Sequence, residues 1–336
     1  MKSKFIDTSA LRMHYLEKGE GSPVIAIHGW PETSREWVGV AGELAGDWRV
    51  LAPDTRGHGD TEAPPGGYDR ATLAQDIVDF MDALGIERCP IVAHDWGGII
   101  AVKLALDHGE RVERLCLLDT ICTGWPVFSQ YVYWFMDGDR VERFFSTRAR
   151  DFIASVVGGQ NRGLPPPPDC PFEFQTPELT APEPWATEEV LDAYTIPYEQ
   201  GDAARVSCNY YRSLQFHRVL PDAGAPNGER YQLLPHDEMG RLWRNGEVAA
   251  EYLDFAPDDR HKTYAGATLW LYCRHVAEVA GCRLNEAGIP VGDPAFDSFS
   301  RHFPDLRAEG MDGGHFFVES RPEATAKLLG NFLRGE

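Results

Sequence analysis

The stretch Ile91-Val92-Ala93-His94-Asp95-Trp96-Gly97-Gly98 sets an acid between an apolar, strand-like run and a helix-like segment. Ala93 and Gly97, two positions before and two after Asp95, are small enough for neighbouring backbone to pack on a tight strand-to-helix turn. That is the layout of a nucleophile elbow, which holds its central side chain out on strained backbone. A serine at the centre would attack an acyl carbon. A carboxylate there attacks an sp³ carbon, displaces a leaving group and becomes an alkyl ester on the protein. Water then attacks the ester's carbonyl carbon and regenerates the carboxylate. An isolated Asp would read as a helix-start residue favoured by the dipole, but the flanking small residues make Asp95 a candidate nucleophile.

Two more segments supply what such a nucleophile needs. His28-Gly29-Trp30-Pro31-Glu32 directly follows the apolar run Val24–Ile27. A loop there can aim the backbone N–H of Trp30 at Asp95, and with the N–H of Trp96 it would form an oxyanion hole. Near the carboxyl terminus, Met311-Asp312-Gly313-Gly314-His315-Phe316-Phe317 carries a histidine on a glycine loop, suited to general-base work on the water. His14, His108, His217, His236, His261 and His302 lack such a setting and read as surface or packing residues, and His94 as a local packing or hydrogen-bonding neighbour of the nucleophile.

These residues need rigid elements to hold them. Val24–Ile27, Arg49–Ala52, Ile91–Ala93, Leu115–Leu118 and Thr268–Tyr272 read as buried strands. Ala71–Leu84, Gly97–Leu106 and Pro322–Leu333 read as helices. Alternation of this kind builds an α/β fold, a mostly parallel sheet covered by helices on both faces. Between about Gly124 and Lys262 the rhythm breaks: aromatics, prolines and charged helical stretches replace the strand-like runs. We read that region as a helical insertion over one sheet edge, with the Pro165–Pro168 run as a stiff spacer inside it. The domain expectation is therefore a core of 1–123 and 263–336 and an inserted unit of 124–262.

Composition narrows the function class. The 336 residues are 43% hydrophobic and 25% charged, which excludes a disordered chain and a small disulfide scaffold. A formal charge of −20 disfavours nucleic acid and anionic membrane surfaces as partners but says nothing against a neutral small molecule. No apolar run approaches the length of a membrane span. Met1–Asp7 has no apolar signal core, so no secretory address is expected. The seven cysteines (Cys89, Cys116, Cys122, Cys170, Cys208, Cys273, Cys282) are odd in number and lack a Cys-x-x-Cys pair. They read as reduced thiols in a cytoplasmic protein, with no metal expected. No G-x-G-x-x-G follows a strand, and no cofactor is expected. A homodimer is left open.

At the quoted motifs, together with Asp54-Thr-Arg-Gly-His-Gly-Asp-Thr61, the chain resembles the α/β-hydrolase fold in its aspartate-nucleophile branch, the epoxide hydrolases and dehalogenases. The resemblance implies Asp95 as nucleophile, His315 as base, Trp30 and Trp96 as oxyanion donors, and the insertion as a helical cap or lid. For the acid that orients His315 it leaves two places. Many relatives carry it after the strand that follows the cap, where this chain has Tyr272-Cys273-Arg274-His275-Val276-Ala277-Glu278 and only Glu278 qualifies. Others carry it at the end of the strand after the elbow helix, Leu117-Leu118-Asp119-Thr120. Asp119 is preferred.

The leaving group separates the two activities. An opening epoxide develops an alkoxide that needs a proton from an acid such as tyrosine, whereas a halide leaves as a stable anion and needs only N–H donors. Cys208-Asn209-Tyr210-Tyr211-Arg212 resembles the segment with one of the ring-opening tyrosines of epoxide hydrolases, and Tyr211 takes that place. The partner would come from Tyr131-Val132-Tyr133-Trp134-Phe135; Tyr133, Trp134 and Tyr210 are the candidate pocket residues. Trp134 with Trp96 would alternatively cradle a halide. Haloacid-type relatives hold the substrate carboxylate with arginines one and four residues after the nucleophile, where this chain has Trp96 and Ile99. The preferred reading is an epoxide hydrolase acting on an apolar substrate. The alternatives are a dehalogenase and a catalytically silent binder of small ligands.

Overall fold

A computed structural model describes residues 1–124, 135, 139–157, 184–225, 228–245, 247 and 254–336. The apolar runs become the centre of an eight-stranded sheet. Along the chain its strands are β1 (Lys2–Asp7), β2 (Arg12–Lys18), β3 (Ser22–Ile27), β4 (Trp48–Pro53), β5 (Cys89–His94) and β6 (Val112–Leu118). After a separate hairpin, β7 (His217–Pro221) with β8 (Glu229–Leu233), the sheet resumes with β9 (Thr268–Cys273) and β10 (Leu306–Met311). The spatial order is β1-β2-β4-β3-β5-β6-β9-β10. From β4 onward neighbours run parallel, and β1 and β2 form an antiparallel edge.

Alternation along the strands builds a core on each face. Val24, Ala26, Val92, Cys116, Leu118 and Leu271 point one way and pack under helices α1 (Val38–Leu44) and Pro322–Arg334. Ile25, Ile27, Ile91, Ala93, Leu115 and Leu117 point the other way, towards α2 (Arg70–Ala83) and α3 (Asp95–Asp107). Helix α3 is buried almost all round, from Trp96 to Ala105, because the sheet lies on one side of it and inserted residues on the other. Removing a fully buried side chain here, as in Leu117→Ala, costs about 2–5 kcal/mol. That rigidity fixes the positions of the strand ends.

The edge strands β1 and β10 escape a search for apolar runs. Lys2–Asp7 has no buried residue and β10 buries only Gly310 and Met311. The insertion is helical for the most part, with one addition the sequence did not announce. The segment between β6 and β9 contains α4 (Asp139–Val156), α5 (Glu188–Gln200), α6 (Ala203–Arg212) and α7 (His236–Arg244), but also the β7–β8 hairpin. Both hairpin faces are partly exposed and polar, so no apolar alternation marks it. Arg260 ties it to the last part of the insertion, with Nε 2.7 Å from Glu229 and Nη1 2.8 Å from Asp254. No helix among the described residues is long and apolar enough to cross a membrane.

Candidate active site

Strand β5 delivers Asp95 to the first position of α3 with φ of 44°. Among the described residues, the non-glycine positions with positive φ are Asp95 and Asp119, the latter at 33°. Each such conformation costs on the order of 1–3 kcal/mol and persists only where surrounding structure imposes it. The imposing contacts are visible. A Cβ on Gly97 would lie 2.4 Å from the Ile27 carbonyl oxygen, and one on Gly98 would lie 2.4 Å from the Thr120 side chain. The Thr120 hydroxyl donates to the Asp95 carbonyl at 2.6 Å.

The Asp95 carboxylate is divided between two neighbours. Oδ1 accepts the Trp30 N–H at 2.8 Å, and Oδ2 lies 3.6 Å from Nε2 of His315. Trp96, second residue of α3, has a backbone N–H with no acceptor inside the helix. The turn that carries Trp30 is locked from behind: His28 Nε2 accepts the Thr55 N–H at 3.0 Å, and Asp54 Oδ1 accepts the Ser34 N–H at 2.7 Å. His315 sits after β10 on a loop opened by Gly313 and Gly314, both at positive φ. Its Nδ1 is 2.5 Å from Asp119 Oδ2, whose other oxygen accepts the Cys273 N–H at 2.7 Å. Asp95, His315 and Asp119 thus form a continuous chain of contacts.

The charges follow from this chain. Burial alone would favour protonated Asp95, but His315, the charge on His94 and the Trp30 N–H outweigh it and hold the carboxyl below its ordinary range. Burial pulls the His315 imidazole down, while Asp119 and Asp95 carry it the other way, to about 9. At neutral pH the site holds an ionised Asp95 beside a protonated His315.

Several expectations land elsewhere. Glu278 is exposed on the helix Arg274–Val279, and of the two candidate acids it is Asp119 that meets His315. Tyr211 is buried, its ring 5.5 Å from Trp30 and 5.2 Å from Trp96, next to both oxyanion candidates. Tyr210 touches Trp96 at 5.1 Å, but its hydroxyl donates to Thr55 Oγ1 at 3.1 Å and to the Arg56 carbonyl at 3.0 Å. That hydroxyl tethers α6 to the core. Tyr133, Trp134, Cys170 and Pro165–Pro168 lie outside the described residues.

The sequence reading missed two features. Ser207 on α6 accepts the Trp30 indole N–H at 2.7 Å, so Trp30 serves the nucleophile with its backbone and the insertion with its side chain. Glu32, Glu36 and His94 form a buried cluster behind the elbow, with the half-buried Glu319 beside it, announced only by Glu32 in the His-Gly-x-Pro-Glu motif. Ligand atoms of Glu32, Glu36 and His94 lie within 4.8 Å of one another. One Glu36 oxygen is already engaged by the Gly29 N–H, and His94 Nδ1 stands at ion-pair distance, 2.9 and 3.2 Å, from the other Glu36 oxygen and from Glu32.

With this geometry in hand, the chain compares with known proteins as follows. Residues 22–169 match the family model described as the alpha/beta hydrolase fold. Soluble epoxide hydrolase of Corynebacterium sp. (strain C12) is 44% identical over 110 residues, a match spanning 33% of this chain and 38% of that one. Epoxide hydrolase 3 of Siraitia grosvenorii is 32% identical over 66% of this chain and 75% of its own. Fluoroacetate dehalogenase of Burkholderia sp. is 24% identical over 98% of this chain and 93% of its own. The solved structure of the epoxide hydrolase CorEH without ligand superposes with a TM-score of 0.69 at 20% identity, over 99% of both chains.

Proposed function

The chain belongs to the α/β-hydrolase family, and from that premise we propose that it is an epoxide hydrolase working through an alkyl ester on Asp95. The observation that carries the reading is the convergence of two carboxylates, each on strained backbone, on the two nitrogens of His315. Asp95 Oδ2 attacks an epoxide carbon; a C–O bond forms, the ring C–O bond breaks, and the ring oxygen takes a proton from the Tyr211 hydroxyl. Oδ1, already on the Trp30 N–H, becomes the ester carbonyl oxygen. It carries the negative charge when water adds, with the Trp96 N–H as second donor. His315, having passed its resting proton to the Tyr211 phenolate, removes the proton from that water; Asp119 steadies the imidazolium, and collapse of the intermediate releases a vicinal diol and restores Asp95, with Tyr211 and His315 back in their starting protonation states.

Ester formation also readies the base. In the resting site two carboxylates hold the proton on His315. Turning Asp95 into a neutral ester removes one of them, so His315 gives its proton up more easily when a base is needed. The inserted unit 124–262 acts as a cap that closes the site with aromatic rings and selects an apolar epoxide.

The full-length match to fluoroacetate dehalogenase favours a second reading, carbon–halogen cleavage by the same nucleophile. The deciding experiment gives purified protein an epoxide panel (styrene oxide, cyclohexene oxide, longer aliphatic epoxides) and, separately, haloalkanes and haloacetates. Diol without halide is expected. Halide without diol overturns the epoxide reading.

A further inference from the structure

The steps above leave the acids behind the elbow without a task. His94 is wholly buried, and its two ring nitrogens face acceptors on opposite sides. Nδ1 stands 2.9 Å from Glu36 Oε1 and 3.2 Å from Glu32 Oε2. Nε2 stands 3.0 Å from the backbone carbonyl oxygen of His315. A neutral imidazole has one N–H and can serve only one side; the imidazolium serves both. The His94 and His315 rings lie 4.7 Å apart, centroid to centroid, so a charge on one is felt by the other.

The surroundings of His94 explain how a charge survives burial. Glu32 and Glu36 come from the turn after β3, Glu319 from the short helix Phe317–Ser320, and Tyr194 from α5. Glu36 also accepts the Gly29 N–H at 2.9 Å, next to Trp30. The Tyr194 hydroxyl donates to Glu319 Oε1 at 2.7 Å. Three neighbouring carboxyls cannot all ionise against a single cation. Burial and Glu32 raise Glu319 well above its ordinary range, and burial with Glu32 brings Glu36 up to about 7. Burial opposes the His94 charge, but Glu36 and Glu32 overcome it and hold the ring protonated.

We propose that His94, kept as an imidazolium by Glu36 and Glu32, is a positioning residue for the base: it grips the His315 backbone carbonyl and sets a fixed positive charge beside the His315 ring. That charge works against a second proton on His315 and in favour of an ionised Asp95, the states needed for the two half-reactions. This use rests on the ester mechanism proposed above, whereas the protonation of His94 can be read without any substrate.

The test has two arms. Side-chain ¹⁵N NMR of the whole protein should show His94 with both nitrogens protonated from pH 6 to 9; a neutral His94 at pH 7 overturns the proposal whatever the substrate. Stoichiometric divalent metal, lost in Glu36→Gln, would also overturn it, by making the cluster a metal centre. In the second arm, single-turnover decay of the ester is followed against pH. Without the neighbouring charge His315 keeps its proton to higher pH, so the acid limb should move up. We expect His94→Gln, which retains a donor for the carbonyl, to slow ester decay about tenfold at pH 6 and to recover most of the rate by pH 9, as a shift of about one unit requires. Glu36→Gln should shift the limb in the same direction by less. An equal loss at every pH would show a merely structural role and overturn the proposal. If no epoxide forms an ester, the mechanism above fails while the NMR arm still decides the charge on His94.

Discussion

The two walls of the site are built on different principles. The core wall is polar and fixed through backbone: Asp95 and Asp119 on strained turns, the Trp30 N–H on one carboxylate and the Cys273 N–H on the other. The wall supplied by the insertion is a nest of rings. Phe135 stacks on Tyr211 at 4.2 Å and meets Trp30 edge-on at 4.9 Å, and Phe145 and Phe152 pack around the same indole. Backbone hydrogen bonds tolerate little displacement, whereas aromatic contacts accept several geometries at similar energy. In the proposed mechanism the core wall therefore supplies nucleophile, base and oxyanion donors, while the other wall shapes what enters and adds only the Tyr211 proton.

The sharpest break of that comparison starts at the nucleophile. Asp95→Ala should abolish turnover, a loss on the order of 10⁶-fold by analogy with other nucleophile deletions, while circular dichroism stays native. Turnover in a pure preparation would remove Asp95 from its role. His315→Gln should instead stop the cycle half-way, and intact-mass spectrometry after substrate addition should show an adduct.

The orienting acid comes next in size. Asp119→Asn takes the charge from His315 Nδ1 and should slow ester decay by about 10²–10⁴-fold. Glu278→Gln, on an exposed helix, should leave the rate within about twofold. Pre-steady-state kinetics separates the two, and the reverse ranking would move the acid to Glu278.

The same contrast governs how much of the molecule was legible in its sequence. Ala93, Asp95 and Gly97 reveal the elbow because close backbone packing forbids larger residues there, and a prohibition leaves a mark in residue types. The central strands show for a similar reason: burial on both faces leaves them apolar except at the ends, at Thr268 and His94. The β7–β8 hairpin was invisible because it is held by its own backbone ladder and by Arg260, with no buried face to constrain composition. Nothing in the sequence marks Glu36 and Glu319, since the surroundings of these carboxyls depend on partners from three distant segments and not on their neighbours in the chain. Tyr210 and Tyr211 are adjacent on α6, and sequence could not say which faces the core loop.

That last pair gives the smallest effects and probes the ring-lined wall itself. Tyr210 spends its hydroxyl on Thr55 and the Arg56 carbonyl. Tyr210→Phe should therefore cost about 1 kcal/mol of stability, read as a shift in Tm of about 2 °C, with kcat unchanged. Tyr211→Phe keeps the stacking on Phe135. It should lower the alkylation step on an epoxide by about 10²-fold, the usual size of a lost general acid. The same variant should release halide from a haloalkane, if one is turned over at all, at the parent rate, because a halide departs without a proton. Equal losses on both substrate types would mean that Tyr211 shapes the pocket and does not protonate the leaving oxygen. The adaptable wall would then hold no chemistry of its own.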